Sequence, residues 1–125
     1  MNENQISEVV LDCCFKIHRN LGPGLFESVY EEILAYELSA KKLNFVRQKP
    51  IPLTYGDIKF NIGFRIDFLV ENMVILELKS VEFILPVHKK QLLTYLKITN
   101  CRLGFILNFN SELLKNGIIR FVNNL

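Results

Sequence analysis

Two neighbouring runs alternate with a period of two. In Gly63 to Val70 the residues Phe64, Ile66, Phe68 and Val70 interleave with Arg65, Asp67 and Leu69; in Val74 to Val81, Val74, Leu76 and Leu78 interleave with Ile75, Glu77 and Lys79. They read as the arms of a β-hairpin. With Glu71, Asn72 and Met73 as a three-residue loop, Val70 faces Val74 and Asp67 falls opposite Glu77, while the apolar residues of the other set share the buried face. Upstream, Ile6, Val9, Val10, Cys13 and Ile17 recur at helical spacing from Gln5 to about Arg19, and Leu21-Gly22-Pro23-Gly24 stops that helix. A second helix is expected from about Phe26 to Lys41, with Val29, Ile33, Leu34 and Leu38 as its buried stripe.

Phe45 to Tyr55 is expected to be extended, because Pro50 and Pro52 exclude a helix interior and suit an edge strand. Tyr55-Gly56-Asp57-Ile58 then turns into the strand that ends near Val70. Pro86 opens a helix from about Val87 to Ile98 with Leu92, Leu93 and Leu96 as its stripe, and Asn100 stops it. Arg102 to Phe109 is a further buried strand, followed by a turn or short helix around Glu112 to Lys115 and a last apolar segment, Ile118 to Val122. The order is helix, helix, three-stranded meander, helix, strand and a small terminal unit. That is one α/β sandwich. The helical crossover before Arg102 favours parallel pairing there and a mixed sheet overall.

With 125 residues, half of them hydrophobic, the chain is expected to form one domain around a single core. No apolar stretch approaches the length of a spanning helix, and the N-terminus, with Glu3 and Glu8, lacks a secretory pattern, so a cytoplasmic protein with no membrane partner is expected. The three cysteines lack metal-ligand spacing and read as small buried hydrophobes. A net charge of +2 does not by itself announce a nucleic-acid binder.

The hairpin register carries the chemistry. Two carboxylates roughly 5 Å apart repel by about 3 kcal/mol at an effective dielectric of about 20, so positive charge belongs beside Asp67 and Glu77. Lys79 supplies one charge on the same face, and a hard divalent cation held through oxygen is a natural second. The bland alternative is a partly exposed cross-strand ion network. On the helix after Pro86, His88, Gln91 and Tyr95 share one face, which the crossover can lay beside the Glu77 strand. Gln91 and Tyr95 are then candidates for orienting a water or a phosphate, while a lone helical His is more often a surface or capping residue.

Gly24-Leu25-Phe26-Glu27-Ser28-Val29-Tyr30 resembles the pattern that names the GxxExxY family, and Asp67, Glu77-x-Lys79 and Gln91-xxx-Tyr95 resemble the motifs of the PD-(D/E)xK nuclease superfamily, to which that family is assigned. The resemblance runs from about Ile6 to Val122, with the motifs in the expected order. The proline of the superfamily name is Ile66 here. The resemblance implies a restriction-endonuclease-like three-layer sandwich, its mixed central sheet flanked by helices, with the site at the centre of the sheet. It implies Asp67, Glu77, Lys79 and Gln91 as catalytic residues, and Glu27, Asp67, Glu77 and the Leu78 carbonyl as ligands of Mg²⁺ or Mn²⁺.

Tyr30, Arg47, Arg65, His88 and Tyr95 are the candidate substrate contacts. Tyr30 can equally pack against the sheet, Glu27 can equally be a first-turn charge, and Arg47 and Arg65 can equally neutralise the acidic cluster. The implied function is metal-dependent hydrolysis of nucleic-acid phosphodiesters, DNA first. The alternative is a catalytically silent nuclease-like binding or assembly module. A chain this small leaves little room for a specificity domain, so a homodimer or a partner protein is a further expectation.

Overall fold

The computed structural model describes the backbone of residues 1–125 and the side chains of all but residues 61 and 62. The first helix, α1, spans Glu3–Leu21. It starts at Asn2 because the Asn2 side chain accepts from the Gln5 N–H while the Gln5 side chain accepts from the Asn2 N–H, both at 2.9 Å. It ends at Gly22, whose φ of 67° is costly for a residue with a Cβ. The second helix, α2, spans Glu27–Ala40.

The buried face of α2 differs from the expected stripe. Tyr30, Leu34, Ala35 and Leu38 point inward, while Val29 is exposed and Ile33 only partly buried. Tyr30 takes the inner position because its ring stacks on Phe109 at 4.5 Å and its hydroxyl has partners, donating to the Gly22 carbonyl at 2.5 Å and accepting from the Leu25 N–H at 3.3 Å.

Five strands form one sheet in sequence order: β1 (Phe45–Tyr55), β2 (Ile58–Val70), β3 (Val74–Lys79), β4 (Leu103–Asn108) and β5 (Ile118–Val122). The helix α3 (Pro86–Thr99) is the crossover that makes β3 and β4 parallel, and the other neighbours are antiparallel. Asn100 ends α3 in the left-handed region, as a helix stop does. β1, with Pro50 and Pro52, is an edge. A short 3₁₀ turn, Leu114–Gly117, precedes β5.

The core lies in two layers. On one side α1 and α2 cover Phe68, Val70, Leu76, Leu78, Phe105 and Leu107; on the other, Leu92, Tyr95 and Leu96 of α3 cover Ile66, Leu69, Ile75 and Ile106. β3 and β4 are buried on both faces, which is why they read as nearly continuous apolar runs. In α3 the inner position expected for Leu93 belongs to Tyr95, and Leu93 is exposed.

One alternation does not persist. Phe64 and Ile66 join the α3 layer, whereas Phe68 and Val70, of the same parity, join the α1 and α2 layer. The four therefore do not share a face. The pairs Arg47↔Phe68 and Lys49↔Ile66 keep one register, so the β1–β2 ribbon turns over between them without gaining or losing a residue. Gln48 absorbs the turn on β1 with a φ of 50°, uncommon for a residue with a side chain, and Asp67 lies across from it on β2.

The seat of α3 is close-fitting at Gly104, where an added Cβ would meet Leu92 Cδ1 at 3.1 Å and Leu96 Cδ2 at 3.2 Å. Gly104→Val is expected to lower stability by about 1–3 kcal/mol through overpacking, measured by urea unfolding. An unchanged unfolding midpoint would show that α3 yields freely at this contact.

Candidate active site

The β2–β3 ladder pairs Val70 with Val74, Leu69 with Ile75 and Phe68 with Leu76, then stops. The next step in the same register is Asp67 with Glu77. There side chains replace the ladder: the Leu78 N–H donates to Asp67 Oδ2 at 2.8 Å and the Asp67 N–H to Glu77 Oε1 at 3.4 Å. The strands separate into a wedge that the two carboxyl groups fill.

Glu77 is only 6 % exposed. Burial first, then the Asp67 charge, push its carboxyl up to about 9, with Lys79 pulling the other way. Asp67 is also raised by burial, opposed by bonds from the Leu78 N–H, Glu77 and Gln48. Both partners shift in the same direction. The contact between them raises Glu77 and lowers Asp67, so of the two it is Glu77 that keeps its proton to the higher pH.

These groups open into a cleft of about 560 Å³ together with Arg65, Lys79, Gln91 and Tyr95. The crossover brings Gln91 and Tyr95 to the acids as their spacing on α3 implied. The Tyr95 hydroxyl is pushed up to about 12 by burial and by the charges of Glu77 and Asp67, against bonds from the Arg65 backbone and the Gln91 side chain. It stays protonated at neutral pH. Phe64 meets the Tyr95 ring edge-on at 5.7 Å and walls the cleft beside Pro50 and Gly63. Arg65 is exposed at the mouth.

Four expected residues lie in other surroundings. Glu27 is exposed at the start of α2, and its Oε2 accepts from the Ser80 N–H at 3.1 Å, one residue beyond Lys79. Among the described residues no three His, Cys, Asp or Glu side chains converge as a metal cluster. Tyr30 is fully buried behind the sheet, where its hydroxyl ties the α1–α2 connection. Arg47 pairs with Glu31 at 2.7 Å and Glu32 at 2.6 Å on α2, so it contacts neither the cleft acids nor the cleft mouth. His88 caps α3, its Nδ1 accepting from the Leu85 N–H at 3.0 Å. These three are structural contacts, and Arg65 and Tyr95 alone of the five candidate substrate contacts line the cleft.

Two residues escaped the sequence reading. Gln48 lines the cleft and donates to Asp67 Oδ1 at 3.2 Å. Counting back from the Tyr55↔Ile58 turn would not find it, because the register shifts between Ile51 and Leu53. Asn108 is buried at the end of β4 and bonds both the N–H and the carbonyl of Val81, at 3.1 and 3.0 Å, pinning the chain just after Lys79. A polar amide closing an apolar strand was its only signal.

No helix among the described residues is long and apolar enough to cross a membrane. Neither the comparison with curated proteins nor that with solved structures gives a match. A family model does match, and it covers residues 4–121, which include every element that builds the cleft. The α/β architecture with helices on both faces of a mixed sheet agrees with the restriction-endonuclease-like fold. Since that match spans nearly the whole chain, the chain is a member of the PD-(D/E)XK nuclease superfamily.

Proposed function

We propose that this protein hydrolyses nucleic-acid phosphodiester bonds, DNA being the expected substrate, with Mg²⁺ or Mn²⁺ as cofactor. The observation that carries the reading is the Asp67–Glu77 contact, two carboxyl groups forced together on neighbouring strands with Lys79 beside them. The donor set fits a hard cation, since it offers oxygen alone. Asp67 and Glu77 would hold it. The Leu78 carbonyl would join them, because its N–H already points at Asp67 and the two groups of one strand residue face the same neighbour. Glu27, held near the end of β3, would act through water.

When bound, the ion supplies Lewis-acid polarisation of the phosphoryl group and a more acidic water. Lys79 places its ammonium where negative charge grows on the phosphorus oxygens. Gln91 orients the attacking water, and the neutral Tyr95 hydroxyl fixes that side of α3 against Arg65. Arg65, exposed at the mouth, receives a flanking phosphate. The GxxExxY motif, Gly24 to Tyr30, supports placement in that subfamily.

Purified protein is expected to cleave DNA with Mg²⁺ or Mn²⁺ and not with chelator. Asp67→Asn is expected to abolish turnover and Lys79→Ala to reduce it roughly 10²–10³-fold. Single-stranded and duplex DNA and RNA are assayed side by side. A folded wild type that binds the cation yet cleaves none of them would replace this proposal with a binding or assembly module.

The buried proton has its own consequence. Burial raises the Glu77 carboxyl from its ordinary value of 4.5 to about 9 in the fold, so between those values the folded state binds the extra proton and stability falls as pH rises. A divalent cation takes the proton's place and offsets that loss. Thermal midpoints from pH 5 to 9 are expected to decline in chelator, with the gap to Mg²⁺ samples widening toward alkaline pH. In Glu77→Gln the decline is expected to flatten. Parallel curves for wild type with and without Mg²⁺ would count against cation binding at the pair.

A further inference from the structure

We propose that Gln48 is a positioning residue, which locks the Asp67 carboxylate in the orientation that receives the cation. Gln48 Nε2 carries two hydrogens and both are used: one goes to Asp67 Oδ1 at 3.2 Å, the other to Glu31 Oε1 at 2.5 Å. Two carboxylate oxygens facing one end of the amide identify that end as the nitrogen. Asp67 Oδ2 is held separately by the Leu78 N–H at 2.8 Å. Gln48 and the Leu78 N–H thus hold different oxygens of Asp67, which fixes its side-chain rotamer while leaving further lone pairs for a ligand.

The clamp is anchored outside the cleft. Glu31 accepts from Arg47 at 2.7 Å, and Arg47 is also tied to Glu32, so the amide is braced against α2 through a charged network. A neutral donor suits this place. A lysine here would satisfy Asp67 electrostatically and compete with the cation, whereas an amide orients the acid and leaves its charge available. The backbone is shaped for the same contact: Gln48 adopts a φ of 50° where the β1–β2 ribbon turns over, opposite Asp67. A purely conformational role would favour glycine or asparagine at such a φ.

That difference makes Gln48→Gly the decisive variant, because it relaxes the backbone while deleting the amide. The cation measurement rests on the nuclease reading; the orientation measurement does not. Three-bond couplings in the apo protein report the Asp67 χ1 angle. Wild type is expected to show one rotamer and Gln48→Gly an average, with an unchanged or higher thermal midpoint. Mn²⁺ affinity by calorimetry is expected to fall roughly tenfold, and kcat to fall more than KM rises. Gln48→Asn, which suits the backbone but is one methylene short, is expected to behave like the glycine variant. Unaltered Asp67 couplings and Mn²⁺ affinity in Gln48→Gly would overturn the proposal. If wild type binds no Mn²⁺ and cleaves nothing, the nuclease reading fails, and the couplings alone still decide whether Gln48 holds Asp67.

Discussion

Two carboxyl groups pressed together at the mouth of a strand pair, Glu77 buried and Asp67 half-buried, are the constraint around which this fold is arranged. Neighbouring strands would normally continue their ladder, satisfying each backbone group with another. Here the ladder ends at Phe68↔Leu76, and the Asp67 and Glu77 side chains take up the backbone donors beyond it. The substitution keeps the polar groups paired: among the described residues no buried side-chain nitrogen or oxygen lacks a partner. The cost falls on the acids, whose burial favours their protonated state against the pull of Lys79.

The surrounding layers hold this arrangement still. β3 is central and buried on both faces, so Glu77 projects from one of the least mobile elements of the chain. α3 is seated on Gly104 and Ile106 through Leu92 and Leu96, which fixes the height of Gln91 and Tyr95 above the acids. On the far side, Tyr30 and Phe109 stack beneath the connection that leads into Glu27, and Asn108 pins the chain after Lys79. Residues remote from the cleft thereby set the positions of those inside it.

Much of this was legible because it is local. Period-two runs joined by a short loop define a register, and that register placed Asp67 against Glu77; the turn residues Glu71 and Asn72 adopt the positive φ values that a tight loop needs. The spacing of Gln91 and Tyr95 is likewise fixed by one helix. What sequence periodicity could not supply was the turnover of the β1–β2 ribbon. Alternation assigns Phe64, Ile66, Phe68 and Val70 to one face, yet α3 claims the first two and α1 with α2 the last two. The break depends on Gln48, a residue on another strand in an unfavoured backbone state, and no pattern within β2 reveals it. Arg47 and His88 were misplaced for a related reason: charge and helical phase say which residue types are present, while the partners that claim them, Glu31, Glu32 and the Leu85 N–H, are set by packing and capping.

The turnover and the acid wedge have a common logic. A ribbon that kept one face throughout would send Ile66 to the α1 and α2 layer with Phe68, removing the apolar floor on which Tyr95 rests. By turning over at Gln48 and Asp67, the ribbon gives each helical layer its own apolar set and leaves the polar pair at the changeover, where neither layer needs a hydrophobic side chain. A sheet with helices on both faces has few places where polar side chains can gather without displacing core. The changeover is one of them, and it lies beside the point where β3 presents Glu77 and Lys79. The polar cleft can therefore sit at the middle of the sheet rather than at its edge, because the break in alternation and the break in strand pairing fall at the same residue.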